Sequence, residues 1–173
     1  TGFMNLFSEN TNTIAQHGRR GANMQTIRVD HPDVRKFISI KSGSVDMVKY
    51  SNISVLLTHE FMKAVEDDTD FDLKWGGKEY DTLRARELWE EIVTSAHKSA
   101  EPGIIFWDTM TDYHNAEYCS PLVSTNPCGE QPLPDGGCCN LGSVNLARFV
   151  DENNQFMTDI FRKTVAIATR FMD

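Results

Sequence analysis

The sequence lacks the features that mark membrane, nucleic-acid-binding and disulfide-rich proteins. No apolar run approaches the length of a transmembrane span, so we expect a soluble protein. The 173 residues include 17 Lys and Arg against 25 Asp and Glu, a net charge of −8, whereas a surface that binds nucleic-acid phosphates has a basic excess. Four cysteines without a signal peptide argue against a secreted disulfide framework. We therefore expect a cytoplasmic protein with no membrane or nucleic-acid partner.

The spacing of the cysteines also argues against a structural zinc site. Cys119, Cys128, Cys138 and Cys139 contain no Cys-x-x-Cys pair. A zinc site or a disulfide framework would in addition leave the amide and the carboxylate near Cys128 unexplained. We predict no metal site built from protein ligands. With 40% hydrophobic residues the chain is long enough for one globular core.

The most informative stretch, residues 124–133, reads Ser-Thr-Asn-Pro-Cys-Gly-Glu-Gln-Pro-Leu. The proline favours an extended conformation at Asn126. A backbone that stays extended as far as Glu130 would send the side chains of Asn126, Cys128 and Glu130 to one side. Gly129 has no side chain, so a substrate can come close to the backbone there. We predict an extended loop that presents Cys128 between an amide and a carboxylate.

A carboxylate close to a cysteine points away from ordinary nucleophilic chemistry. Its negative charge disfavours the thiolate, which is the nucleophilic form of cysteine. The arrangement suits a thiol that stays protonated until it loses a hydrogen atom. Glu130 would then act as general base on a substrate hydroxyl, while Asn126 holds that substrate by hydrogen bonds. Cys139 follows a turn rich in proline and glycine that can fold it back toward Cys128, where it would supply reducing equivalents as half of a dithiol.

These residues carry a resemblance to a known family. Asn-Pro-Cys-Gly-Glu-Gln-Pro-Leu at 126–133, a short turn, and Cys-Asn-Leu-Gly-Ser-Val-Asn-Leu at 139–146 closely resemble the finger loop of ribonucleotide reductase. The similarity is to the class II branch, which depends on adenosylcobalamin. In that branch the cobalt–carbon bond breaks homolytically, and the resulting radical would take a hydrogen atom from Cys128.

The resemblance implies a role for each of four residues. Cys128 would be the thiyl-radical cysteine that abstracts the ribose 3′-hydrogen, and Glu130 would deprotonate the 3′-hydroxyl. Asn126 would hydrogen-bond the ribose hydroxyls. Cys139 would be one of two cysteines that are oxidised to a disulfide as the 2′-hydroxyl leaves as water. Cys119 and Cys138 have no role in the family pattern, and we interpret them as structural thiols.

The resemblance also sets expectations for the whole molecule. It implies an α/β fold in which residues 1–173 form the central part of a ten-stranded α/β barrel, with both ends cut and Cys128 on a central loop. Strands alternating with helices agree with an α/β arrangement. The implied partners are a ribonucleoside di- or triphosphate substrate, a deoxynucleoside triphosphate effector, a thioredoxin-like reductant and a second copy of the full-length protein. The other redox cysteine and the later strands would lie outside this chain, which we therefore expect to be inactive alone.

Two stretches are candidates for nucleotide contacts. Residues 18–23 combine two guanidinium groups with two glycines, which suits phosphate binding by arginine and backbone amides. Taken alone, this stretch is a basic turn of the kind usually found on a solvated surface; in the family a similar stretch lies near the effector site. In the family, residues 41–50 correspond to the loop between the effector and the active site, and we expect them to reorder when effector binds. The residues that we assign to effector or substrate contacts are Arg19, Arg20, Lys41 and Ser124.

Hydrophobic patterning predicts the order of the elements. In chain order, the first predicted elements are a helix-like segment at 1–17, a strand at 24–29, a helix that starts at 30–33, a strand at 51–57 and a short helix at 59–65. They are followed by a hairpin at 71–83, a helix at 84–100, a strand at 104–107, a turn at 108–116 and a helix from 159. On the helix at 84–100 we expect Leu88, Ile92 and Val93 to face the core. On the last helix we expect Phe161, Val165, Ala168 and either Phe171 or Met172 to do so.

Two other functions fit parts of the pattern. In a class I reductase, a separate metal-containing subunit would supply the radical to the same cysteine. The short separation between Cys128 and Cys139 and the Pro-Cys-Gly-Glu-Gln sequence favour class II. In a non-catalytic nucleotide-binding module, Arg19, Arg20 and residues 41–50 would bind a nucleotide, and Cys128 would be an incidental thiol.

Overall fold

The computed structural model of the chain describes residues 2–14, 21–42 and 47–173. The helices are α1 (Gly2–Thr13), α2 (Val34–Ile38), α3 (His59–Asp67), α4 (Ala85–Ser99), α5 (Trp107–Asp112) and α6 (Thr158–Met172), with a 3-10 helix at Leu146–Phe149. The strands are β1 (Met24–Arg28), β2 (Asn52–Leu57), β3 (Asp70–Trp75), β4 (Lys78–Arg84), β5 (Gly103–Phe106), β6 (Leu122–Thr125) and β7 (Pro132–Pro134). The chain divides into two compact units, Thr1–Gly137 and Cys138–Asp173.

A parallel sheet of three strands, in the order β1-β2-β5, forms the centre of the first unit. The middle strand, β2, is buried at every residue except Asn52. Parallel strands require crossover connections, and here helices α2, α3 and α4 lie in the connections and pack beside the sheet. The buried side chains at the centre of this core include Val55, Leu57, Phe61, Leu88 and Ile92. The predicted α/β arrangement is confirmed.

Most predicted elements of the first unit are found within one or two residues of their expected positions. The hairpin of β3 and β4 turns at Gly76 and Gly77, which both adopt positive φ angles, 58° and 77°. Helix α3 begins after Thr58, whose side-chain oxygen accepts a hydrogen bond from the Phe61 N–H at 3.1 Å. The glycine pair is a local signal that places the hairpin correctly, and the structure adds the Thr58 cap at the start of α3.

Two expectations for the helices of this unit are wrong. Residues 107–112 form the helix α5 rather than a turn, and Asp108 of its first turn accepts a hydrogen bond from the His59 N–H at 2.7 Å. This contact joins the beginnings of α3 and α5. Val93 of α4 is 48% exposed. The buried positions of this helix are 85, 88, 92 and 95, so Val93 lies beside the buried stripe and not within it.

The second unit consists of the 3-10 helix and α6. Phe161 of α6 packs against Phe149 and Phe156, each at a ring-centroid distance of 5.3 Å. Within this described unit, no residue of α6 is buried, and Phe171 is 90% exposed. The expected core face of the last helix is confirmed in part, since Phe161, Ala168 and Met172 are half-buried, whereas Val165 and Phe171 are exposed. None of the described helices combines the length and the apolar character needed to cross a membrane.

Candidate active site

The stretch at 126–131 is the connecting turn of a short antiparallel hairpin. Strands β6 and β7 pair with Ser124 opposite Leu133 and Thr125 opposite Pro132. At the turn, the Gly129 N–H donates to the Asn126 carbonyl at 3.0 Å, and Gly129 has a φ angle of 87°. The predicted extended backbone is wrong, because antiparallel pairing requires the chain to reverse and Gly129 can adopt the left-handed conformation that the reversal needs.

Asn126 organises this turn through both its backbone and its side chain. Its backbone N–H donates to the Gln131 carbonyl at 3.1 Å, and its Oδ1 accepts the Gln131 N–H at 3.0 Å. Its Nδ2 donates to Oε1 of Glu130 at 2.6 Å. An asparagine amide carries two N–H donors, so one remains for a substrate hydroxyl. The structure thus brings Asn126 and Glu130 together, although through a turn and not through an extended chain.

Cys128 lies within this turn, and its side chain is exposed, as is that of Glu130. A hydrogen bond to a charged acceptor is stronger than one between neutral groups, so the Asn126 amide holds the Glu130 carboxylate in a defined orientation. The second carboxylate oxygen can accept a proton from a bound hydroxyl. The turn therefore presents a thiol, a carboxylate and an amide donor within five consecutive residues, and the thiol and the carboxylate are exposed to solvent.

Two residues that the sequence did not single out also contact this turn. The buried hydroxyl of Thr125 donates to the Asn126 carbonyl at 3.0 Å. Asn52, at the start of β2, donates its side-chain amide to the Pro127 carbonyl at 2.6 Å. The available signal for Asn52 was an amide side chain at the first position of a strand whose only other polar residue is Ser54. This feature of the sequence distinguishes Asn52 from its neighbours, but it does not indicate that the Pro127 carbonyl is the hydrogen-bond partner.

The residues assigned to nucleotide contacts have different surroundings. Lys41 forms an ion pair with Glu101 and donates to the Ser51 carbonyl, with only 14% of its side chain exposed. Ser124 is half-buried in β6. Arg19 and Arg20 lie outside the described residues, as do residues 43–46 of the 41–50 loop. Nucleotide contacts by these four residues stay a prediction.

Cys139 is also exposed, but it belongs to the second unit, whereas Cys128 belongs to the first. The predicted turn between them is present after β7, where the Gly137 N–H donates to the Pro134 carbonyl at 3.0 Å and Gly136 has a φ angle of 69°. Next to Cys139, the Asn140 side chain donates to the Met172 carbonyl at 2.9 Å and so joins this segment to α6. The redox pairing of Cys139 stays a prediction.

The comparisons with known proteins agree with one another. The family model described as "Ribonucleotide reductase, barrel domain" matches residues 1–173. The chain is 40% identical over 174 aligned positions to the vitamin B12-dependent ribonucleoside-diphosphate reductase of Thermoplasma acidophilum, covering 99% of this chain and 23% of that protein. It is 34% identical to the protein of the same name from Mycobacterium tuberculosis, covering 99% of this chain and 25% of the relative.

A third relative matches a shorter region. The vitamin B12-dependent ribonucleotide reductase of Agrobacterium fabrum is 44% identical over 103 residues, covering 58% of this chain and 8% of that protein. The chain spans about a quarter of the length of the first two relatives. Since the barrel-domain model matches the chain from its first residue to its last, the chain belongs to the ribonucleotide reductase family.

Proposed function

We propose that this chain is the central part of the catalytic subunit of an adenosylcobalamin-dependent ribonucleotide reductase, which converts ribonucleotides to 2′-deoxyribonucleotides for DNA synthesis. The observation that carries the proposal is the turn in which the hydrogen-bonded pair Asn126 and Glu130 flanks the exposed Cys128. The names of the relatives, all vitamin B12-dependent, support class II over a class I enzyme with a separate radical-generating subunit.

The finer architecture belongs to the same proposal. In the intact subunit, the parallel strands β1, β2 and β5 would be part of a ten-stranded α/β barrel, and the turn with Cys128 would lie on a loop at its centre. The family match to the barrel domain supports this arrangement. Burial inside a barrel would shield the radical chemistry from solvent.

The residues of the turn fit a cofactor that acts through a thiol. Among the described residues there is no group of three or more His, Cys, Asp and Glu side chains that could hold a metal ion, and adenosylcobalamin carries its own cobalt. When bound, this cofactor supplies an organic radical that takes a hydrogen atom from a thiol. Cys128 is the group of this chain that we assign to it, because the hydrogen-bonded pair Asn126 and Glu130 flanks its exposed thiol in the turn.

The chain's own residues then carry the reaction on the ribose. The sulfur of Cys128, after losing its hydrogen, takes the 3′-hydrogen atom, so an S–H bond forms and the C3′–H bond breaks. Glu130 accepts the proton of the 3′-hydroxyl, and the free N–H of Asn126 donates to a ribose hydroxyl. The 2′-hydroxyl leaves as water. Cys139 and a second cysteine outside residues 1–173 give one of their two thiol hydrogens to this water and the other to C2′, where the C–O bond has broken, and the two electrons that they lose leave their sulfurs joined as a disulfide. Cys128 then returns its hydrogen atom to C3′, and Glu130 returns the proton to the 3′-oxygen.

The substrate and partners follow from the same proposal. The names of two relatives favour a ribonucleoside diphosphate as substrate over a triphosphate. A deoxynucleoside triphosphate would be the effector, with contacts from Arg19, Arg20, Lys41 and Ser124. A thioredoxin-like protein would reduce the disulfide, and the intact subunit would act as a homodimer in the cytoplasm.

The test is ribonucleotide reduction by the intact protein that contains this chain, with and without adenosylcobalamin and with no second subunit added. Turnover that requires the cofactor is the expected result. Turnover that instead requires a metal-containing subunit would move the protein to class I and keep the site assignments. Nucleotide binding without any reduction under either condition would favour the non-catalytic binding module.

A further inference from the structure

Asn52 differs from the other residues of β2 in its exposure to solvent. Residues 53–57 of β2 are buried, and Asn52 is the exposed residue of the strand. Its backbone N–H donates to the Asn23 carbonyl at 2.8 Å, and it pairs in register with Met24 of β1. Because both its own strand and the neighbouring strand fix its backbone, its side chain extends from a rigid position.

The side chain of Asn52 reaches the peptide group that precedes the candidate radical cysteine. Its Nδ2 donates to the Pro127 carbonyl at 2.6 Å, although the two residues are 75 positions apart. This oxygen belongs to the peptide unit between Pro127 and Cys128. The next peptide unit, between Cys128 and Gly129, donates its N–H to the Asn126 carbonyl at 3.0 Å.

Both peptide units that flank Cys128 are therefore held by hydrogen bonds. Since a peptide unit is planar and rigid, fixing the two units also fixes the Cα of Cys128 and the direction in which its side chain leaves the backbone. One of the two hydrogen bonds lies within the turn, and the other, from Asn52, joins the turn to the sheet. Met24 lies beside the same turn, because a Cβ placed on Gly129 would be 3.9 Å from its Cε.

We propose that Asn52 is a positioning residue for Cys128. It holds the turn at 126–131 against the first residues of β1 and β2, and so sets where the thiol lies relative to a bound ribose. Radical transfer between a thiol and a C–H bond requires close approach of the two atoms, and a displacement of about 1 Å can slow such a step by orders of magnitude. The position of the thiol matters for catalysis only if the proposed function is correct. The hydrogen bond by which Asn52 holds the turn does not depend on that function.

The first test measures the turn without any turnover. In the intact protein, the rate at which iodoacetamide alkylates Cys128 is followed by mass spectrometry, with the exposed Cys119 as internal reference. The variants are Asn52→Ala and Asn52→Asp, which lack the donor, and Asn52→Gln, which keeps it on a longer side chain. The control is Asn12→Ala, because Asn12 is an exposed asparagine of α1 whose amide donates to Glu9 at 3.5 Å.

We expect the alanine and aspartate variants to change the alkylation rate of Cys128 by about threefold or more, which corresponds to the loss of one hydrogen bond that orders the turn. The rate at Cys119 should not change, and Asn52→Gln should lie nearer to the wild-type protein than Asn52→Ala does. Unchanged alkylation of Cys128 in both donor-free variants would overturn the inference. If the alanine variant does not fold, the aspartate and glutamine variants provide the same comparison.

The second test separates positioning from a purely structural role. With adenosylcobalamin and substrate, kcat of Asn52→Ala should fall about tenfold, the scale expected for one lost hydrogen bond, while KM and the Kd of the effector stay within about twofold. A structural role alone would lower the amount of folded protein and leave kcat per folded molecule unchanged, which would overturn the inference. If the wild-type protein reduces no ribonucleotide, the proposed function fails, and the alkylation rates still decide whether Asn52 holds the turn.

Discussion

The ammonium group of Lys41, in the connection between β1 and β2, forms an ion pair with the carboxylate of Glu101, which lies between α4 and β5. The other carboxylate oxygen of Glu101 accepts the Ile53 N–H at 3.0 Å, and Lys41 also donates to the Ser51 carbonyl. This pair therefore holds the beginning of β2, the strand that starts with Asn52. The two side chains are 14% and 22% exposed, so the pair is largely protected from solvent.

We predict that Lys41→Met lowers the free energy of unfolding by about 2 kcal/mol, because it leaves a partly buried carboxylate without its cation. The urea midpoint of the intact protein and the exchange rate of the Ile53 amide measure this effect. The control is Lys36→Met, since Lys36 is 76% exposed and pairs with Asp33 at the surface, where the expected change is below about 1 kcal/mol. Unchanged stability of Lys41→Met would show that the ion pair does not stabilise the beginning of β2.

Replacement of Cys128, the proposed radical cysteine, should separate binding from chemistry. We predict that Cys128→Ser binds substrate and effector normally but forms no deoxynucleotide, because a serine O–H bond is too strong to give up its hydrogen atom to the cofactor radical. Equilibrium dialysis measures binding, and chromatography measures the product. Cys119→Ser, which removes another exposed thiol, should stay active. Deoxynucleotide formation by Cys128→Ser would remove Cys128 from the mechanism.

The carboxylate at position 130 can be neutralised with little change in shape. Glutamine can still accept the hydrogen bond that Glu130 receives from the Asn126 amide at 2.6 Å, so the turn should persist in Glu130→Gln. We predict a fall in kcat of about 100-fold or more, since glutamine cannot accept the proton of the 3′-hydroxyl. The control is Glu152→Gln in the second unit, where the side chain is exposed. A Glu130→Gln variant with normal kcat would exclude Glu130 as the general base.

A substitution at Asn126 tests the amide that donates to Glu130. Asn126→Asp keeps an oxygen that can accept the Gln131 N–H, but it replaces the donor to Glu130 with a second negative charge at hydrogen-bond distance. We predict that the two carboxylates repel each other and that kcat falls about tenfold or more. Steady-state kinetics measure the change, with Asn153→Asp at an exposed turn as the charge-matched control. Similar losses in the two variants would mean that added charge alone is responsible.

Cys139 should be needed for repeated turnover and not for the start of the reaction. We predict that Cys139→Ser still starts the radical chemistry on bound substrate but sustains no turnover with a dithiol reductant, because Cys139 is no longer present to give up its hydrogen and form the disulfide. Single-turnover and steady-state assays of the intact protein distinguish the two phases. Cys138→Ser, at the neighbouring position, should keep normal turnover. Sustained turnover by Cys139→Ser would show that another residue supplies the electrons.

Sequence patterns predicted correctly those helices and strands that are determined by residues close together in the sequence. The alternation at 24–29, the glycine pair at 76–77 and the helical periodicity of α4 each depend on residues within a few positions of one another. The motif at 126–133 likewise identified the family, because the residues that carry its chemistry are consecutive. Val93 shows the limit of this reasoning, since being apolar did not place it within the buried stripe of α4.

The sequence by itself therefore determined the family, the α/β class and the residue types of the site. Only the tertiary structure decided how these residues are presented. Residues 126–131 form a turn because β6 pairs with β7, and the partner of a strand is not encoded within the strand. Asn52 holds the Pro127 carbonyl because the fold brings together positions 75 residues apart, a contact that depends on the whole path of the chain between them.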